Sequence, residues 1–186
     1  MTTRSKRWAL AAAAVATVFL GTRSVSALDT NAAPERIGVY DSRAIAYADF
    51  VSEARMLKIR SMVAAAKQAK SAGATEKFKE LSAALKAEQE RADLQVFSTA
   101  PVEDALAAIK TRVGEVEKEA GVALLVSKWD EKALAERKGA RRIDVTAELL
   151  RDYKLTEKQL KVVQDLVKHP PLPLDKARKM SAQGKL

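Results

Sequence analysis

The sequence predicts a mainly α-helical protein with a small β base, from which a long antiparallel coiled-coil helical hairpin projects. Three observations predict it. Two short apolar runs, Ile37-Gly38-Val39-Tyr40 and Val122-Ala123-Leu124-Leu125-Val126, have the length and composition of strands. Between them lies a stretch rich in Ala, Lys and Glu, with Gly73 near its middle and no Pro until Pro101. Aromatic residues are only 5% of the chain, which leaves few large side chains for one globular core and favours helices packed along seams.

The chain opens on the three-part pattern of a secretory signal peptide. Arg4, Lys6 and Arg7 make a positive start, residues 8–21 carry no charge, and Val25-Ser26-Ala27 offers small residues for cleavage. The apolar stretch is too short to cross roughly 30 Å of hydrocarbon as a helix, so a signal peptide over 1–27 is expected rather than an anchor. Four of the 33 basic residues and none of the 24 acidic ones precede Leu28. The expected mature chain therefore carries 29 basic against 24 acidic residues, a net +5. There is no Cys, which excludes both lipidation and disulfides.

Residues 28–35 form a polar lead-in, and RIGVYDS (36–42) follows as the first strand, with Asp41 or Ser42 placed to cap the next helix. Residues 43–72 contain neither Pro nor Gly and predict one helix about 45 Å long. Tyr47, Phe50, Ala54 and Leu57 form one apolar stripe; Met56, Ile59, Val63 and Ala66 form another at heptad spacing. Gly73 suits the helix C-terminus, where a positive φ is needed, and Thr75 can cap the returning helix. That helix runs from Glu76 to about Phe97 on Phe78, Leu81, Leu85, Ala92 and Val96, with Glu88 interrupting the seam. Pro101 breaks or bends the chain. Val102, Leu106, Ile109, Val113, Val116 and Ala120 then give the cleanest amphipathic stripe, ended by Gly121.

After the strand at 122–126, Lys132-Ala133-Leu134-Ala135 is a candidate third strand and residues 137–140 a turn. IDVTAELL (143–150) starts a helix at Asp144 or Thr146. Thr156 and Gln159 form a capping box for an extra helix over 156–168. Residues 169–186, Pro-containing and then basic, are expected to be disordered.

The ordered set of IGVYDS entering a long helix, a hairpin, VEDALAAIKTRVGEVEKEAG, VALLV and IDVTAELL resembles the Skp/OmpH family of periplasmic chaperones. The resemblance covers about residues 36–151, with the arm at about 43–97 and the base at 36–42 and 102–151. It implies a periplasmic homotrimer whose helical arms hold unfolded outer-membrane or envelope proteins without ATP. The hairpin is shorter than that family's, Pro101 interrupts the return and offers a hinge, and the chain continues beyond the family's end.

Charge along the arm is uneven. Arg55, Lys58, Arg60, Lys67, Lys70, Lys77 and Lys79 against Glu76 give +6 around the turn, whereas residues 80–104 carry two basic and six acidic side chains, a net −4. A basic tip can attract anionic lipid or acidic segments, although a charge run also serves simply as a solvated face. Met56, Ile59, Met62, Val63 and Phe78 are the candidate apolar contacts of the arm. Ile37, Val39, Ile109 and Leu125 are expected together in the base, where a second chain would cover the 102–120 stripe. The alternative function is a structural or adaptor coiled coil of the envelope that binds one folded partner or an anionic membrane surface.

Nucleic acid is not an expected partner, because the chain carries an export signal and aromatic residues are sparse along the basic arm. No enzyme is expected either. The single His169 precedes two prolines, and there is no Gly-rich phosphate loop and no metal-ligand spacing. Neither a cofactor nor a metal is therefore implied. Trp129 reads as a packing residue beside the second strand.

Overall fold

The computed structural model describes residues 34–186; the expected signal peptide lies outside the described residues. The described chain is mainly helical with one three-stranded sheet.

Strand β1 (Arg36–Tyr40) is central, in the order β2-β1-β3, and both neighbours run parallel to it. β2 (Leu125–Ser127) pairs Gly38 with Leu125, and β3 (Arg141–Asp144) pairs Gly38 with Ile143. The third strand is therefore not Lys132–Ala135. Those residues lie in helix α6 (Glu131–Glu136), whose first turn Asp130 caps by accepting from the Ala133 N–H. The cap overrides the weak strand signal of so short a run.

Asp41 caps α1 (Ser42–Phe50), accepting from the Arg43 N–H. The expected thirty-residue helix then breaks at Val51, and Ser52 caps a second helix, α2 (Glu53–Ser71), by accepting from the Arg55 N–H. Ser competes for backbone hydrogen bonds at such positions, and this restart shortens the outgoing limb of the arm to about 28 Å. Gly73, at φ +71°, reverses the chain as expected. Ala74 occupies the cap position of α3 (Thr75–Phe97), so Thr75 is already the first residue of that helix. The 102–120 stripe is likewise two helices, α4 (Glu103–Ala108) and α5 (Lys110–Ala120), joined at Ile109; Gly121, at φ +58°, ends the second.

One side of the sheet faces the main core. Ile45 and Ala44 of α1, Val116 of α5, and Val145 with Leu149 at α7 (Thr146–Leu150) are almost fully buried there. Gly38 lies under this layer. A Cβ at that position would sit 2.5 Å from Leu125 Cδ2 and 3.2 Å from Val145 Cγ2, so the close approach needs Gly. Ile37 faces the other side, with Val126 and Leu134.

The C-terminal part is ordered onto the body rather than free. The capping box of Thr156 and Gln159 opens α8 (Glu157–Leu166), and Val163 enters the main core. The segment expected to be disordered bridges Leu172 to Ser98 and then forms α9 (Leu174–Ala182), which packs on α3 with Ala177 buried. A basic composition is compatible with a helix when one small apolar face has a partner.

Candidate functional site: the arm and its root

Helices α2 and α3 pack along each other across the Gly73 turn. Near the tip Ala66 and Ala69 are the buried residues of α2, and Phe78 and Leu81 of α3 are half-buried. Small residues let the two backbones approach, but they bury little area. Met56 and Val63 are 36% exposed and Leu57 is 56% exposed, whereas Ile59, Met62 and Phe78 are half-buried. The second predicted stripe is thus rotated: Ile59, Met62 and Ala66 turn inward, and Met56 and Val63 turn out.

The seven predicted basic residues do not form one tip. Arg55 sits at the root, its side chain 13% exposed, and contacts Asp49, Glu88 and Asp104 at 2.9, 3.1 and 3.2 Å. Lys58 Nζ lies 2.7 Å from Glu88 Oε1. Arg60 borders an open groove of about 650 Å³, which also takes in Met56, Leu57, Ile109 and Tyr153. Only Lys67, Lys70, Lys77 and Lys79 flank the turn, where Lys77 pairs with Glu80 and Lys79 with Glu76, each at 2.9 Å. Four Lys against two Glu leave the tip at +2. The Lys70 ammonium sits 5.7 Å from the Phe78 ring centroid.

The sequence reading missed the root cluster. Glu88 does not loosen the seam; it gathers Arg55, Lys58 and Arg91. Arg91 also reaches Asp104, and the Gln95 amide donates to Asp104 Oδ1 at 2.7 Å and to the Pro101 carbonyl at 2.9 Å. The Pro101 bend is therefore pinned, not a free hinge. A signal existed, because Lys58 and Glu88 stand symmetrically about Gly73, so an antiparallel pair must bring them together. Burial pushes the Glu88 and Asp104 carboxyls up, but the surrounding donors and guanidinium groups hold both below their ordinary values. Asp49 moves the other way: burial raises it, and Asp104 nearby adds to the rise despite Arg55. The Tyr153 hydroxyl donates to the Ala105 carbonyl at 3.0 Å, and burial beside Asp49 and Asp104 raises its pKa.

The four predicted base residues are divided between the two faces of the sheet. Ile109 and Leu125 pack with the main core, while Ile37 and Val39 belong to the opposite cluster. Alternation along β1 decides this, since successive side chains point to opposite faces. For the 102–120 stripe, α1 packs on α4 and α7 on α5 within the same chain.

A second ionic cluster ties the base to the C-terminal segment. The buried Arg43 donates through Nη2 to the carbonyls of Leu166 (2.9 Å) and His169 (2.6 Å). Its guanidinium lies 5.0 Å from the Trp129 ring centroid, and the Trp129 indole N–H donates to Asp41 at 3.1 Å. Burial pushes the Asp41 carboxyl up, yet Lys128, Trp129 and Arg43 hold it below the usual range. Lys128 Nζ lies 2.7 Å from Asp41 Oδ2, whereas the buried Arg43 Nε has no hydrogen-bond partner among the described residues and stands 3.6 Å from Asp41 Oδ1. Among the described residues no group of His, Asp or Glu could hold a metal ion, and no helix is long and apolar enough to cross a membrane.

No family model matches the chain, and neither a curated protein nor a solved structure matches it.

Proposed function

We propose that the protein is a periplasmic, ATP-independent holding chaperone for unfolded outer-membrane or envelope proteins, and that it works without enzymatic chemistry or a cofactor. The observation that carries the reading is the set of large apolar side chains left exposed on α2, Met56 and Leu57 at the root groove and Val63 about two turns further out. Exposed apolar side chains that cluster beside a groove mark an interaction surface, and Met adapts to partners of different shape. The export pattern and the Skp/OmpH resemblance of the sequence support the same reading. In this reading α2 and α3 form an antiparallel coiled coil that grips the client, and Lys67 and Lys70 add a weak attraction to acidic segments or anionic lipid. The homotrimer implied by the resemblance belongs to the proposal, and sedimentation equilibrium at micromolar concentration tests it.

The adaptor reading predicts one partner and no effect on aggregation. The decisive measurement is light scattering of an unfolded outer-membrane protein diluted into buffer with the protein. Two variants are compared: Met56, Leu57 and Val63 all replaced by Gln, and the arm shortened by removing residues 60–85 with a Gly-containing turn in their place. The shortened arm retains Arg55, Lys58, Glu88 and Arg91, so the root remains closed. Both variants are expected to fold and to lose most of the suppression. Full suppression by both would eliminate the arm as the holding surface.

A further inference from the structure

The sheet has two outer edges, and they are built differently. β3 presents Arg141, Arg142 and Asp144, three charged residues along an exposed edge. Charge on an edge strand prevents the addition of further strands. β2 is Leu125-Val126-Ser127, with no charge at all. In a parallel ladder alternate residues turn their backbone groups to one neighbour. The Gly38 N–H donates to the Leu124 carbonyl and the Lys128 N–H to the Tyr40 carbonyl, which fixes Val126 as the residue bonded to β1. The N–H groups of Leu125 and Ser127 and the Leu125 carbonyl therefore point away from the sheet, and among the described residues none of the three has a backbone or side-chain partner.

Beside this edge runs a groove of about 640 Å³ between the Pro101–Leu106 segment and α6. Its lining includes the apolar Val102, Leu106 and Ala133, and four carboxylates, Glu103, Asp130, Glu131 and Glu136, against one cation, Arg137. Arg137 is itself paired with Glu35 at 2.8 Å. The Tyr40 hydroxyl registers the negative field: burial, Glu103 and Asp130 together push its pKa up to about 12.

From these observations we infer that the groove beside β2 binds an extended peptide segment in which apolar residues alternate with Lys or Arg, added as a fourth strand. The free N–H and C=O groups supply main-chain pairing, the apolar lining takes alternate side chains, and the carboxylates select the basic ones. This site is on the body and does not depend on the arm.

The test uses a fluorescein-labelled peptide of alternating Val and Lys, about eight residues long as strands commonly are. Anisotropy is expected to show saturable binding that weakens with added salt, because the groove carboxylates are exposed. A Val–Glu peptide should bind at least about tenfold more weakly, since like charges meet across the interface. Replacing Glu103, Glu131 and Glu136 with Gln should weaken the Val–Lys peptide by a similar factor, while thermal unfolding checks that the variant folds. Hydrogen exchange read at single amides supplies the geometric part. Leu125 and Ser127 should exchange fast in the free protein and slow on peptide binding, whereas Val126 is slow throughout. The arm-shortened variant should bind the peptide as well as the full chain does, which separates this site from the holding reading. Equal binding of both peptides, or binding without protection of Leu125 and Ser127, would overturn the inference. So would protection that rises with protein concentration alone, which would assign the edge to a second copy of the chain.

Discussion

The arm and the body are both helical, yet they are held by different physics. In the body, Ile45, Leu149, Val116 and Val145 are at most 1% exposed, packed between the sheet and α1, α5 and α7. In the outer half of the arm the buried side chains are Ala66 and Ala69. A buried Leu or Ile contributes roughly 1.5–3 kcal/mol by removal from water, and an Ala far less. The arm is thus secured at its root by Arg55, Glu88, Arg91 and Asp104, and its tip is free to open locally at little cost.

The sharpest way to break this comparison is to cut the body. Leu149→Ala removes a fully buried side chain and is expected to cost about 2–5 kcal/mol, read as a shift in the denaturation midpoint. Leu125→Ala should cost clearly less, because Leu125 is only half-buried. Equal losses at the two positions would mean that the body does not concentrate its packing in the layer beneath α1 and α7.

The next largest effect lies at the root. Arg55→Met leaves Asp49, Glu88 and Asp104 short of their shared guanidinium, with Arg91 and Lys58 still present. The expected loss is about 1–3 kcal/mol, since removing one member of a largely desolvated charge cluster strands the others. A cycle with Glu88→Gln should show strong coupling, as direct contacts do. Additive losses would reassign arm anchoring to the α2–α3 seam.

Acid should act on the same root. Glu88 and Asp104 have depressed pKa values in the fold, so the stability they contribute is complete above their unfolded values and declines as pH falls through the depressed ones. The raised Asp49 works in the opposite sense, favouring the fold as it takes up a proton, but at the root it stands alone against two. Stability is therefore expected to fall once pH drops below about 4.5, and hydrogen exchange should quicken at the base of α2 before it does in α7. Simultaneous acceleration in both would dissolve the distinction between root and body.

The smallest effect belongs to the tip. Replacing Lys67, Lys70, Lys77 and Lys79 with Gln should change stability by about 0.5 kcal/mol or less, as exposed charges do. Binding to anionic vesicles should weaken at low salt and be indistinguishable from the parent at high salt. A large stability loss would show that the tip lysines hold the hairpin closed.

Composition and periodicity alone determined the helical class, the strand at 36–40, the reversal at Gly73, the end of α5 at Gly121 and the capping box at Thr156, because each depends on a few neighbouring residues. They also placed the second apolar run close to β2. Tertiary structure decided what local signals cannot carry. Ser52 and Ile109 broke two helices that periodicity had joined. RRID became a strand only because β1 offered it a free edge, while the LysAlaLeuAla run took a helix under the Asp130 cap. Arg55 and Glu88 met because an antiparallel pair brings distant positions together, and α9 formed because α3 supplied a surface for it. Local propensity is written over a few residues, whereas burial and ion pairing depend on which segments meet, and the fold alone determines that.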